Sequence, residues 1–323
     1  TKYFYRLRMI LLREWNIGVI FIIIFVVFGV YSLRSKYQFE RVKGGRLGMS
    51  RKIQYGSSED QFFVLHEPKT PSIDNQRRPV MILIHGGYWK QYYNLNNALC
   101  DGLVGFFQQE GYYVSQLEYR RGNRDIDGGD GGWPETNIDI AFAFNSLFSL
   151  VEQESDSSYY QKIDLTAAVV IGHSAGGTLA LWTSVSGSNE VIQRHFEGSG
   201  VKSFPFTPRL CVAIAPIGSL LEGFLERLSD KGDAVEHYLK AIPQYTGEER
   251  AENLVQDSPY RLASPDMLLP MKTRTLIVAG DNDFIVPLHV IRSFAIKAIE
   301  SSNNEMNIPS PGLLVIPSAD HFQ

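Results

Sequence analysis

Apolar positions along the chain gather into short runs separated by polar and glycine-containing breaks, and the runs follow two periods. Pro79–Ile84 (PVMILI), Tyr112–Tyr119, Leu165–Ile171, Arg209–Ala215 (RLCVAIA), Thr275–Ala279 (TLIVA) and Leu313–Ile316 (LLVI) read as strands. Most are apolar at successive positions, as strands covered on both faces are. Between them Asn94–Gln109, Glu135–Leu150 and Pro287–Ile299 carry helical spacing, and another helix is predicted after Ser174 to about Val185. Ahead of these, Arg51–Tyr55 and Gln61–Leu65, joined by Gly-Ser-Ser-Glu-Asp, predict an opening hairpin. Strands alternating with helices imply right-handed crossovers. The expected fold class is therefore α/β, a mostly parallel, doubly wound sheet with helices on both faces, its functional groups at the strands' carboxyl ends. Gly218–Arg261 breaks the alternation with a helical stretch and is assigned to a small cap insertion over that edge.

One stretch stands outside this pattern. Trp15–Leu33 contains no charged residue and as a helix would span about 28 Å, close to the roughly 30 Å of a bilayer's hydrocarbon core. It is read as a transmembrane anchor, with Trp15 and Tyr31 near its ends and Arg6, Arg8, Arg13, Arg34 and Lys36 flanking it. A cleaved signal peptide is the rival, but Gly29–Leu33 offers no good small-x-small cleavage site. The expected organisation is a basic segment over 1–14, the anchor over 15–33, a linker over 34–50 and one catalytic-sized domain over 51–323. A lipid bilayer is thus an expected partner. Basic residues on both sides barely discriminate orientation, and the lack of an N-x-S/T sequon after the anchor favours the cytosolic face.

Composition narrows the classes. The 323 residues, 44% of them hydrophobic, can bury a sizeable core, and a net charge of −4 argues against a nucleic-acid partner. Cys100 and Cys211 fall in a predicted helix and an apolar strand and read as core residues. No zinc spacing occurs, and no metal or cofactor is expected. The chain begins with threonine and stops two residues past His321, so it is expected to be a fragment cut at both ends, without a final helix.

The chemistry centres on Val169–Gly177 (VVIGHSAGG), a strand that breaks into G-x-S-x-G and then into a helix former. A serine on so sharp a turn needs small neighbours, which Gly172, Gly176 and Gly177 supply, and the N–H of Ala175 opens the helix where an oxyanion would form. Gly280-Asp281-Asn282-Asp283 follows one later strand and Asp320-His321 follows the last, giving the order serine, acid, histidine. Ser174 needs a base near neutral pKa, which His321 provides. A carboxylate must orient that base: Asp283 clears the strand end, whereas Asp281 is expected to brace the turn. His85-Gly86-Gly87-Tyr88-Trp89 closes a buried strand. Gly86, Gly87 and Tyr88, with Ala175, are assigned to an oxyanion hole, and Tyr88 and Trp89 to the wall of a substrate pocket or a core plug. His85 is expected to pin that loop by hydrogen bonds. His66, His195, His237 and His289 attach to no such pattern, and His173 is expected to point away from Ser174.

Taken together, His85–Trp89, the Tyr119-Arg120-Arg121 strand end with Gly131–Thr136, Gly172–Gly177, Gly280-x-x-Asp283-x-x-Val286-Pro287 and His321-Phe322 resemble the α/β-hydrolase superfamily, and within it the kynurenine formamidase (arylformamidase) and related esterase/lipase branch. The resemblance spans about Arg51–Gln323. It implies an α/β-hydrolase fold, nucleophile Ser174, acid Asp283, base His321, and an oxyanion hole at Gly86 and Gly87, acting on a small-molecule N-formyl aryl amide or short-acyl ester. Familiar formamidases lack an anchor, whereas membrane-bound prenylcysteine methylesterases have one together with an H-G-G-x-W of their own. The expected function is a membrane-anchored, metal-independent serine hydrolase of esters or formamides. A membrane-associated carboxylesterase, lipase or prenylcysteine methylesterase-like enzyme is the nearest alternative, and a non-catalytic binding module is the alternative of another class. A peptidase is disfavoured because no propeller-like domain is present to screen peptides.

Overall fold

Eight strands form a single sheet in the order β1-β2-β4-β3-β5-β6-β7-β8. They are β1 (Ser50–Gln54), β2 (Phe62–His66), β3 (Arg78–Ile84), β4 (Tyr113–Leu117), β5 (Ile163–His173), β6 (Leu210–Ile214), β7 (Thr275–Gly280) and β8 (Gly312–Ile316). The computed structural model describes residues 49–70, 76–97, 101–122, 130–152, 160–228, 232–240, 258–303 and 309–322. The expected basic segment 1–14, the anchor 15–33, almost all of the linker 34–50, Cys100 and the middle of the cap lie outside them. Among the described residues no helix is long and apolar enough to cross a membrane.

The opening hairpin forms as expected, β1 antiparallel to β2 and β2 antiparallel to β4, and every pair from β4 to β8 is parallel. Central strands are largely apolar because both faces are covered: all of β4 and β7 is buried, Ser115, Gln116 and Thr275 included, and so is Val80–Ile84 of β3. At the edge, β1 is mostly exposed and carries Arg51 and Lys52, charges that discourage pairing with another chain.

The helices are α1 (Asp101–Gln109), α2 (Glu135–Glu152), α3 (Ala175–Ser184), α4 (Ser188–His195), α5 (Leu220–Leu225), α6 (Ala234–Leu239), α7 (Ser258–Ala263) and α8 (Leu288–Asn303). In α2 the buried Ile140, Ala141, Phe144, Leu147 and Val151 recur at helical spacing and set its face against the sheet. Every residue of α3 is buried, which explains its Ala, Gly and Leu content. The cap contributes α5, α6 and α7, in keeping with the helical reading of Gly218–Arg261.

Two expectations needed correction. Of the helix read over Asn94–Gln109 the structure describes Asp101–Gln109, and Asn94–Asn97 form turns instead. Asn94 and Asn97 turn their side chains on neighbouring main chain instead, with Asn94 N–H donating to Asn97 Oδ1 (2.8 Å), Asn96 N–H to Asn94 Oδ1 (2.9 Å) and Asn97 Nδ2 to the Tyr92 carbonyl (2.9 Å). Such local bonds compete with helix formation. The short helix α4 was not anticipated.

Candidate active site

The parallel register brings the chemistry to one edge. Ile84 of β3 pairs with Leu117 of β4 and with Gly172 of β5, His173 pairs with Ile214 of β6, and Gly280 of β7 pairs with Ile316 of β8. Ser174, Asp283, His321 and the His85–Trp89 segment therefore all follow the carboxyl ends of strands in this sheet.

Ser174 has φ 55° and ψ −122°, the strained conformation of a sharp turn between β5 and α3. The turn exists because backbone passes where side chains would not fit: a Cβ on Gly172 would lie 2.1 Å from the Gly176 carbonyl oxygen, and one on Gly176 would lie 2.2 Å from that of Ile84. Serine at the start of a helix ordinarily caps it through Oγ, but Ser174 makes no such bond. Its hydroxyl is left for other chemistry. The N–H of Ala175, at the first position of α3, has no intrahelical acceptor.

His321 and Asp283, both 5% exposed, meet: His321 Nδ1 lies 2.8 Å from Asp283 Oδ2. The other carboxylate oxygen, Oδ1, accepts from the N–H groups of Ile285 (2.9 Å) and Val286 (2.8 Å), which fixes the carboxyl plane. Asp281 has the bracing part assigned to it, since its Oδ1 accepts from Ser318 N–H at 2.6 Å and ties the loop after β7 to the loop after β8. No hydrogen bond joins Ser174 Oγ to the imidazole among the described residues, a distance that commonly closes only with substrate bound.

The segment after β3 is bent by positive φ at Gly87 (113°), Tyr88 (56°) and Trp89 (55°). His85 pins it as expected, with Nδ1 2.7 Å from the Gly86 carbonyl and Nε2 3.0 Å from Glu118 Oε1. Its ring stacks 4.4 Å from that of Tyr119, whose hydroxyl donates to the His85 carbonyl (2.7 Å). Glu118 also accepts from Leu95 N–H (2.9 Å), Tyr119 N–H (3.1 Å) and Arg121 Nη1. Burial alone would raise the Glu118 pKa; the bond and charge of His85, the charge of Arg121 and the Leu95 N–H outweigh it and hold the carboxyl below its usual value. Glu118 was not singled out from the sequence.

Of the two residues, Trp89 is packed as a core plug. Trp89 is fully buried and stacks 4.4 Å from Tyr238 of α6, where Lys90 also bridges to Asp233 (2.9 Å) and docks the cap on this loop. Tyr88 and Trp89 also line a small, partly open cavity together with Ser174, Ala175, Ile217, Leu228, Ile285 and Val286. Apart from the serine hydroxyl and the tyrosine and tryptophan polar tips, that lining is apolar.

His173 has a partner that the sequence did not suggest. Its Nε2 donates to the His321 carbonyl at 2.8 Å. Among the described residues no cluster of metal-ligating side chains occurs. Cys211 is buried and free, and burial pushes its thiol pKa up to about 12.

Solved structures of similar fold include esterase B from Lactobacillus rhamnosis, inhibited by a C6-C4 SN3 compound, with a TM-score of 0.60 and 17% identity over 90% of this chain and 82% of that one. A truncated carbohydrate esterase from gut microbiota gives 0.58 and 17% over 85% and 90%. Thermogutta terrifontis esterase 2 phosphoramylated by tabun gives 0.55 and 17% over 88% of each chain. At such identities the likeness is one of fold. No curated protein matches the chain by sequence. The BD-FAE family model matches residues 69–297, which takes in the His85–Trp89 segment, the Ser174 elbow and Asp283. The chain belongs to the BD-FAE family and carries the α/β-hydrolase fold.

Proposed function

We propose that the protein is a serine hydrolase of carboxylic esters or formamides that works through an acyl-enzyme. One observation carries the reading: the buried His321–Asp283 pair (2.8 Å) belongs to the same strand-end edge as an uncapped, strained Ser174. In this mechanism Ser174 Oγ attacks the substrate carbonyl carbon while His321 takes its proton. Asp283 holds the imidazole in the required tautomer and stabilises the imidazolium. The N–H groups of Ala175, Gly86 and Gly87, with Tyr88 adjoining, receive the oxyanion. His321 then returns the proton to the departing alcohol or amine, and water, deprotonated by the same histidine, releases the acid.

The mostly apolar lining around Ser174 favours an apolar acyl group. Similar folds in esterases support the ester reading, and the phosphoramylated esterase 2 supports an organophosphate-reactive nucleophile. Formamide specificity rests on the H-G-G-Y-W resemblance alone. The apolar Trp15–Leu33 stretch favours placement at a bilayer, and with it an amphiphilic ester as substrate, while the lack of an N-x-S/T sequon after it favours the cytosolic face.

The test compares the chain with Ser174→Ala on N-formylkynurenine and on p-nitrophenyl esters of increasing length. Ser174→Ala is expected to leave only roughly 10³–10⁴-fold acceleration over water, supplied by the oxyanion hole and binding. Undiminished turnover in that variant would falsify the proposal. A higher kcat/KM on the formamide makes the protein an arylformamidase; a higher value on short esters makes it a carboxylesterase.

A further inference from the structure

The base of the site is held at two points, and the second lies on the residue that precedes the nucleophile. Asp283 fixes the imidazole of His321 through Nδ1. Farther back, the loop after β8 is tied to the loop after β7 by the Asp281 carboxylate at Ser318 and by Asn282 N–H donating to the Ala319 carbonyl (3.0 Å). Neither tie reaches the main chain of His321 itself. That main chain is held by His173, whose Nε2–H donates to the His321 carbonyl at 2.8 Å, with the two rings 4.8 Å apart and inclined by 49°.

We infer that His173 is a positioning residue, its Nε2–H tying the His321 carbonyl to the elbow so that Ser174 and its base keep a fixed separation while the proton moves between them. The inference rests on the reading of Ser174, His321 and Asp283 as a triad. Because a carbonyl oxygen can only accept, the neutral His173 carries its proton on Nε2 and leaves a lone pair on Nδ1. The oxyanion segment packs against the same residue: a Cβ on Gly86 would lie 2.8 Å from the His173 carbonyl oxygen and 3.4 Å from its Nδ1. His173 is thus wedged between the two loops that flank the nucleophile. Burial first, and the neighbouring His321 second, push its pKa down to about 4. At neutral pH the ring is therefore uncharged and sets no second positive charge beside the imidazolium formed on His321.

His173→Met and His173→Gln test this as a pair, because the two side chains are alike in length and differ in having a donor. A misplacement of about 1 Å in a reacting group costs on the order of 10²-fold in rate. In the full chain assayed on p-nitrophenyl acetate, His173→Met is expected to lose about 10–100-fold in kcat with KM unchanged. His173→Gln is expected to recover most of that loss. Fluorophosphonate labelling of Ser174 in the cold reads the same difference if either variant melts near the assay temperature. Equal kcat and equal labelling rates in the two variants overturn the inference, as does a loss confined to KM. Ser174→Ala run in parallel separates the two claims: turnover surviving there defeats the triad, whereas an inactive Ser174→Ala beside indistinguishable Met and Gln variants defeats only the tie through His173.

Discussion

Replacing Asp283 by asparagine should inactivate the protein without unfolding it, because the surroundings of this carboxylate allow the new amide only one orientation. Oδ1 accepts from two main-chain donors, Ile285 N–H at 2.9 Å and Val286 N–H at 2.8 Å, while Oδ2 faces His321 Nδ1 at 2.8 Å. Asparagine has one acceptor oxygen and one NH₂ group. Turned with NH₂ toward Ile285 and Val286, it would break both bonds and oppose donor to donor, at a cost of about 2–3 kcal/mol. Its oxygen therefore stays in the Oδ1 position and its NH₂ faces His321. Nδ1 must then accept, and the imidazole proton moves to Nε2, the nitrogen that would otherwise take the proton of Ser174. A triad in the wrong tautomer loses about 10⁴-fold in kcat, equivalent to about 5 kcal/mol of transition-state stabilisation. Steady-state kinetics on a p-nitrophenyl ester give kcat and KM, and urea midpoints check that the fold survives. Asp281→Asn is the control, since its oxygen can go on accepting from Ser318 N–H. If Asp283→Asn keeps kcat within about tenfold of the parent, or Asp281→Asn suffers equally, Asp283 is not the residue that orients the base.

Two further outcomes test the pocket and the electrostatics. Leu228, 5% exposed, walls the cavity from the cap side, so Leu228→Ala should raise kcat/KM on hexanoate relative to acetate by about tenfold or more, and an unchanged chain-length profile would remove Leu228 from the acyl site. His173 has a depressed pKa in the folded state, so the unfolded chain binds the extra proton between the ordinary value of 6.5 and about 4. The stability it contributes is present above that window and is lost as pH falls through it, on the order of 2 kcal/mol after allowing for partial exposure. Urea midpoints of the parent should therefore fall more between about pH 7 and about pH 4.5 than those of His173→Gln, and parallel slopes would contradict the assigned shift.

The sheet was legible because its strands announce themselves twice, through continuous apolar runs such as PVMILI and through the breaks at their ends. Burial on both faces is what makes those runs continuous, so the signal and the topology share one cause. Helices were legible where one face is buried over several turns, as in α2. They were not legible at Asn94–Asn97, where apolar spacing continues but asparagine side chains capture the main chain, nor in the short α4, which spans little more than two turns. Spacing alone does not register a side chain's competition with the helix.

The candidate site was read more fully than its supports, and the reason lies in strand ends. Ser174, Asp283, His321 and Gly86-Gly87 are chemistry-bearing residue types in a telling order, visible wherever the flanking strands stop. Glu118 and His173 are seen only when the strands stop at the right residue. The strand before Glu118 was read through Tyr119, which hid the carboxylate inside it; β4 ends at Leu117. Pairing of Ile84 with Leu117 then sets His85 and Glu118 side by side as the first residues past neighbouring strands, and their 3.0 Å contact follows. The strand before the elbow was read to Ile171, which left His173 in the turn. In the fold His173 is the last residue of β5 and pairs with Ile214, so its direction is set by the pleat rather than by the elbow. A boundary error of two residues thus hides a side chain that reaches His321, while Ser174, one position later, falls on the strand-to-helix turn either way.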